Sequence, residues 1–157
     1  MTLTSGAHVV TPDDAAAIRS PVGDHLKFMA RGEETGGALA AMDVTVSPGE
    51  GPPLHVHTRE DEFAYVIEGE FRWKLGDELR DAPAGSFVFI PRGLAHCFQN
   101  VGAQPGRQLV MFSPSGMEGF FDRLSDSTEL DLEAFTAAAG AHGMEVVGPP
   151  LAQSDPL

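Results

Sequence analysis

The chain reads as an all-β domain, a closed sandwich or barrel with short helices after it, on three observations. Short apolar or alternating segments recur about every ten residues between Leu26 and Ser113. Turn-forming residues, 18 Gly and 12 Pro in 157 residues, fall mainly between those segments. Helical spacing is confined to the stretch after Pro114, so alternating strand–helix–strand units are excluded.

Residues 1–25 form an irregular lead-in, in which Asp13, Asp14 and Ala15 to Ala17 fit one helical turn after Pro12. The barrel is expected over 26–113. Its first segments are LKFMAR (26–31) and ALAAMDVTV (38–46), where Met42, Val44 and Val46 share a face opposite Asp43 and Thr45. FAYVIE (63–68) and EFRWKL (70–75) follow, and Gly76-Asp77 supplies a two-residue hairpin turn. SFVFIP (86–91), HCFQNV (96–101) and QLVMFS (108–113) bring the expectation to seven or eight strands. In the extension over 114–157, GMEGFFDRL (116–124) and DLEAFTAAAG (131–140) carry helical spacing and strong helix formers. Gly140 and Gly143 are expected to stop the second helix, and PPLAQSDPL to be a loose tail. There is no internal repeat and no second domain.

Composition narrows the partners. With 10 basic and 23 acidic residues the net charge is −13, which repels nucleic acid and anionic lipid. No apolar run approaches the roughly 18 residues of a membrane span. The lone Cys97 excludes an intrachain disulfide, and MTLTSGAHVVTPDD lacks the charged and apolar regions of a signal peptide. A cytoplasmic protein is expected.

The chemistry concentrates in two blocks. GEGPPLHVHTREDEFAYVIEG carries His55, His57 and Glu62, and GSFVFIPRGLAHCFQN carries His96. Imidazoles with one carboxylate are ligands for a divalent transition metal. His55 and His57 are two apart, so on a strand both project from one face. The polar stretch Thr58 to Asp61 lets the chain reverse and bring Glu62 back opposite them. His96 opens a later strand after Pro91 and Gly93, whose backbone restraints direct it inward. Four such ligands leave one or two positions for water, dioxygen or substrate. His8, His25 and His142 lack such company and are assigned to surface or structure; Cys97 is expected to pack on the opposite face of its strand.

These blocks resemble the two motifs of the cupin superfamily. Gly49, His55, His57, Glu62 and Gly69 match the first, and Gly85, Pro91, Gly93, His96 and Asn100 the second, separated by the fifteen residues 70–84. The resemblance implies a double-stranded β-helix, the cupin jelly-roll barrel. It also implies one divalent metal per chain (iron, nickel, cobalt, manganese, copper or zinc) held inside the barrel by His55, His57, Glu62 and His96. That spacing selects Glu62 over Glu60 and Asp61.

The stretches SPSGMEGFFDRL and AHGMEVVGPPL resemble bacterial single-domain cupins of the quercetin 2,3-dioxygenase-like type. This implies a metal-dependent dioxygenase acting on a small enolic or phenolic, flavonol-like compound, with dioxygen as second substrate and Glu62 as ligand and base. A non-redox metal-dependent isomerase, cyclase or lyase stays open, as does a non-catalytic small-molecule-binding cupin. An aromatic substrate needs an apolar wall, for which Ala64 and Val66 (sharing a face with Glu62), Phe98 (with His96), Met42, Val44 and Met111 are the candidates. Phe87, Phe89 and Phe112 are further contributors, and Tyr65 and Trp73 are placed at a rim or interface. Exposed sheet edges and apolar outer faces point to a homodimer.

Overall fold

In a computed structural model, which describes residues 6–20, 25–125 and 131–157, eleven strands and three helices are present among the described residues. In chain order they are β1 (Ala17–Arg19), β2 (His25–Ala30), β3 (Ala40–Val46), β4 (Pro53–His57), β5 (Asp61–Glu68), β6 (Glu70–Leu75), β7 (Glu78–Pro83), β8 (Phe87–Ile90), β9 (His96–Asn100) and β10 (Gly106–Ser113). Helices α1 (Glu118–Leu124) and α2 (Leu132–Ala141), strand β11 (Met144–Pro150) and helix α3 (Leu151–Ser154) complete the chain. Two antiparallel sheets result, one ordered β1-β2-β3-β10-β5-β8 and the other β11-β4-β9-β6-β7. Their inner faces enclose one core, the double-stranded β-helix expected from the two motifs.

Alternation explains most of these strands. In β3, Met42, Val44 and Val46 are buried while Asp43 and Thr45 are not, as their two-residue period requires. In β6, Phe71 and Trp73 point inward and Arg72 ion-pairs with Asp81 outside. The β6–β7 hairpin closes over Gly76 and Asp77, with Leu75 opposite Glu78; Gly76 takes φ +61°, which suits the first position of a type II′ turn. Gly69 has φ +94°, and a Cβ there would sit 2.8 Å from Gly106 Cα, so this chain crossing admits only glycine.

Asn100 is buried and ties three segments together. Its amide nitrogen donates to the carbonyls of Val46 and Gln104, and its Oδ1 accepts from Gly102 N–H.

The strand that the Gly76-Asp77 hairpin requires after the turn is β7 (ELRDAP), which is exposed at five of six positions and carries no apolar period of its own. Two strands lie beyond the expected segments. β1 pairs with β2 inside the stretch expected to be irregular; ahead of it, Thr11 to Ala15 do make a single turn. The largest departure is β11, which returns to the barrel and pairs with β4, setting Met144 opposite His57 and Val146 opposite His55. The segment expected as a helical extension and loose tail therefore supplies an edge strand, capped by prolines that block further pairing. Leu151 of α3 is buried in place of a free tail.

Helices α1 and α2 sit where the spacing predicts. Asp131 caps α2 by accepting from Glu133 and Ala134 N–H. That helix runs through Gly140 and stops before Gly143, which takes φ +73°. The helices dock through Phe120 and Phe135, whose rings meet edge to face at 5.3 Å.

Outside the barrel, Phe63, Phe87 and Phe89 cluster on the β5–β8 edge, and Phe87 and Phe89 are 60% and 51% exposed. They face away from the interior and do not contribute to its walls, contrary to the expectation from sequence. Among the described residues no helix is long and apolar enough to cross a membrane.

Candidate metal centre

The three histidines come from one sheet and the glutamate from the other. His55 on β4 lies directly opposite His96 on β9. Strand alternation brings His57 to the same inner face as His55. Glu62 is on β5, so the chain crosses from sheet to sheet through Thr58 to Glu60 and delivers the carboxylate across the barrel interior. Gly93 (φ +86°) donates its N–H to the His57 carbonyl at 2.8 Å, and this bond fastens the Pro-Gly bend before His96 to the histidine pair.

All four side chains are buried, and one nitrogen or oxygen from each lies within 4.8 Å of the others. Glu62 Oε2 is 2.7 Å from His96 Nε2 and 3.1 Å from His57 Nε2. Ligand atoms about 2.0–2.2 Å from a shared ion stand about 3 Å apart at right angles and about 4.2 Å when opposed. The Glu62 distances to His96 and His57 match the right-angle spacing, and with a small contraction of the widest pair the cluster could hold one divalent metal ion.

Two histidines are oriented by backbone. The Nδ1–H of His55 donates to the Pro53 carbonyl at 2.7 Å, and that of His96 to the Leu94 carbonyl at 2.8 Å. A carbonyl only accepts, so both tautomers are set and both Nε2 atoms face the cluster. His57 is the exception: its Nδ1 is buried without a hydrogen-bond partner.

The electrostatics are those of a charged group in a dry place. Burial opposes ionisation of Glu62, but His96 and His57 outweigh it and hold the carboxyl below its usual range. Burial likewise works against charge on His96, and Glu62 overcomes it and raises the imidazole's pKa. For His55, burial and then the two other histidines lower the pKa to about 3.

These shifts set the pH profile of the metal-free protein. A histidine whose folded pKa lies below its unfolded value of 6.5 destabilises the fold as pH falls from 6.5 toward 3, because only the unfolded chain takes up the proton. Glu62 adds the same sign below its ordinary 4.5. His96, with its pKa raised, stabilises below 6.5 and loses that contribution as pH rises through the folded value. On the His55 and Glu62 shifts the chelator-treated protein is therefore expected to lose stability as pH falls below 6.5, partly offset by Glu60, whose carboxyl burial raises above its usual range. Urea melts in chelator from pH 4.5 to 8 measure it; stability that rises toward pH 4.5 would contradict the assignment.

Beside the cluster lies a narrow cavity of about 660 Å³ counted to its open mouth. Met42, Val44 and Phe98 line it, together with His55, His57 and Glu62. Ala64 and Val66 are buried but do not form its walls. Met111 is turned to the other face of β10, and its neighbours Val110 and Phe112 line the cavity instead. The run LVMF is apolar at every position, so its alternation is masked and the inward pair cannot be read from it.

The opposite wall was not anticipated. Met117, Phe120, Phe121 and Phe135 come from the helical segment, and Met144 from β11. Trp73, expected at a rim or an interface, is fully buried, packing on Phe98 at 4.9 Å and stacking near His96 at 6.4 Å. The alternation of Phe71, Trp73 and Leu75 against Arg72 and Lys74 was the available signal. Glu60, grouped from sequence with a polar turn, is only 2% exposed. Cys97 packs outward against α3, and burial pushes its thiol up to about 11. His8 and His25 are exposed, and His142 Nδ1 donates to the Ala138 carbonyl.

Comparison with known proteins adds to this geometry. The family described as Cupin domain matches residues 42–112. Polyketide synthase CurC of Streptomyces cyaneus is 36% identical over 67 residues, covering 43% of this chain and 44% of CurC, so the chain spans under half of that relative's length. Protein SchB of Streptomyces halstedii is 30% identical over 109 residues, which cover 69% of this chain and 78% of SchB. Among solved structures, the polyketide cyclase RemF from Streptomyces resistomycificus superposes with a TM-score of 0.60 at 25% identity, covering 70% of this chain and 81% of RemF.

Proposed function

This chain belongs to the cupin superfamily, and on that premise we propose that it is a metal-dependent enzyme that cyclises or isomerises an apolar, enolisable aromatic compound of the polyketide type. One observation carries the reading: a narrow cavity with aromatic and methionine walls whose strongly polar side is the His55, His57 and Glu62 group. In this reading the rings of the substrate pack among Phe98, Phe112 and the helix aromatics, which line the cavity, and an oxygen-bearing edge meets its His55, His57 and Glu62 side. The similarity to CurC and RemF, named for polyketide chemistry, supports that substrate class.

A divalent metal on His55, His57, Glu62 and His96 supplies Lewis-acid polarisation of a substrate oxygen. Glu62, kept ionised by His96 and His57, accepts an acidic proton from the enolisable carbon at a carboxylate oxygen. The carbanion adds to a carbonyl of the same molecule, and the proton returns to the new hydroxyl oxygen. Nothing is oxidised and no second reactant is consumed. Phe120, Phe121 and Phe135 keep water from the reacting edge.

Oxidative cleavage by dioxygen, implied by the sequence resemblance, is the second reading, favoured by a three-nitrogen, one-oxygen donor set that serves redox metals equally well. The deciding experiment measures metal content, then supplies panels of enolisable aromatic ketones and of flavonols with and without oxygen. Product of unchanged mass under anaerobic conditions is expected. Turnover only with stoichiometric oxygen uptake would overturn the cyclase reading in favour of the dioxygenase.

A further inference from the structure

We infer that Glu60 is the positioning residue of His57, accepting the Nδ1–H of that histidine when a metal occupies its Nε2. The inference rests on the metal reading above. It starts from an asymmetry among the three imidazoles: His55 and His96 each give Nδ1–H to a backbone carbonyl two residues back, and His57 does not. His57 Nε2 faces Glu62 at 3.1 Å, so its Nδ1 is directed away from the cluster. There it meets one candidate, Glu60 Oε2, at 4.0 Å. Both side chains are 3% exposed, and both atoms lack any other hydrogen-bond partner among the described residues.

Two buried polar atoms left unpaired within 4.0 Å of each other are costly alone and complementary together. A shift of about 1 Å brings them to hydrogen-bond distance. Cation binding at Nε2 makes the Nδ1–H a stronger donor, which favours that contraction, and a carboxylate in this place raises the ligand's basicity. Local structure holds Glu60 in position. It ends the sheet-to-sheet crossing two residues before Glu62, so both carboxylates turn inward from one stretch of chain. Gly116 closes over it with φ +142°, where a Cβ would sit 3.4 Å from Glu60 Oε1.

The test uses cobalt(II) and zinc(II) alone as probes on the full chain. Competition against a chelator is expected to show about 10–100-fold weaker metal binding in Glu60→Ala, with a smaller loss in the near-isosteric Glu60→Gln. The d–d spectrum of the cobalt form is expected to change in both. In the zinc-loaded parent, nitrogen-15 NMR is expected to show a hydrogen-bonded Nδ1–H on His57 that moves in Glu60→Gln. Should Glu60→Ala fail to fold, Glu60→Gln carries the test. Parental affinity, spectrum and Nδ1–H resonance in Glu60→Gln would overturn the inference, as would equal thermal destabilisation of the metal-free and loaded variant with unchanged affinity. A parent chain that binds neither metal refutes the metal reading itself, a result distinct from a binding parent with indifferent Glu60 variants.

Discussion

His57→Ala is expected to purify with little metal, its affinity reduced by at least ~100-fold, beyond the span that changes around the ligands produce. The substitution removes one of three nitrogen donors from a cluster whose ligand atoms already lie within 4.8 Å, and no neighbouring side chain replaces it. Glu60 is on the Nδ1 side of the ring, its Oε2 4.0 Å from Nδ1. The loss also reaches Glu62, which gives up one of its two close nitrogens and keeps His96 at 2.7 Å. Phe112, packed on the imidazole at 5.1 Å, would border the space left behind. Elemental analysis after dialysis, with chelator competition, reads the outcome. Stoichiometric metal in His57→Ala would refute the ligand assignment.

Turnover in Glu62→Gln is expected to fall by about 10²–10⁴-fold, the usual contribution of a positioned general base. Glutamine keeps the shape of the side chain and can still face His96 and His57, so the barrel is expected to fold. It loses the proton-accepting carboxylate, which in the parent those same histidines hold ionised, and with it an anionic metal ligand, so turnover is compared at equal metal content. The variant therefore separates shape from charge. Circular dichroism checks the fold, elemental analysis checks metal content, and product formation on the compound identified in the anaerobic panel checks the role. Near-parental turnover with metal bound would remove Glu62 from proton transfer and leave it a ligand alone.

Much of this site was legible before any coordinates. His55 and His57 share a strand face because the side-chain period is two, and Pro91 and Gly93 set the bend that turns His96 inward. The β3 and β6 strands announce themselves by alternation. Legibility fails where that signal is absent or swamped. Met111 and Phe112 are adjacent in an unbroken apolar run, so only the register of β10 against β3 and β5 shows that Phe112 faces Glu62 while Met111 turns away. Glu60 looked like part of a solvated acidic turn, and its burial follows from the closure of the Gly116 segment over it, more than fifty residues away in sequence. The helices were expected, but their use as a cavity wall was not, because amphipathic spacing identifies a buried face without naming what it is buried against.

By itself, then, the sequence determined the barrel, its strand period, the four metal-capable side chains and the turns that aim them. Alternation and turn residues point to a closed sandwich or barrel, and imidazole and carboxylate chemistry to a metal, while the β-helix and the choice of Glu62 over Glu60 and Asp61 come through the resemblance to the two cupin motifs. Tertiary structure alone decided that the histidines and Glu62 approach from opposite sheets, that β11 returns to cover β4, and that helix aromatics complete the cavity. It also decided that Glu60 stands behind His57. Such facts depend on which distant segments pack together, and packing is settled by the whole apolar surface seeking burial at once, not by any one stretch of the chain.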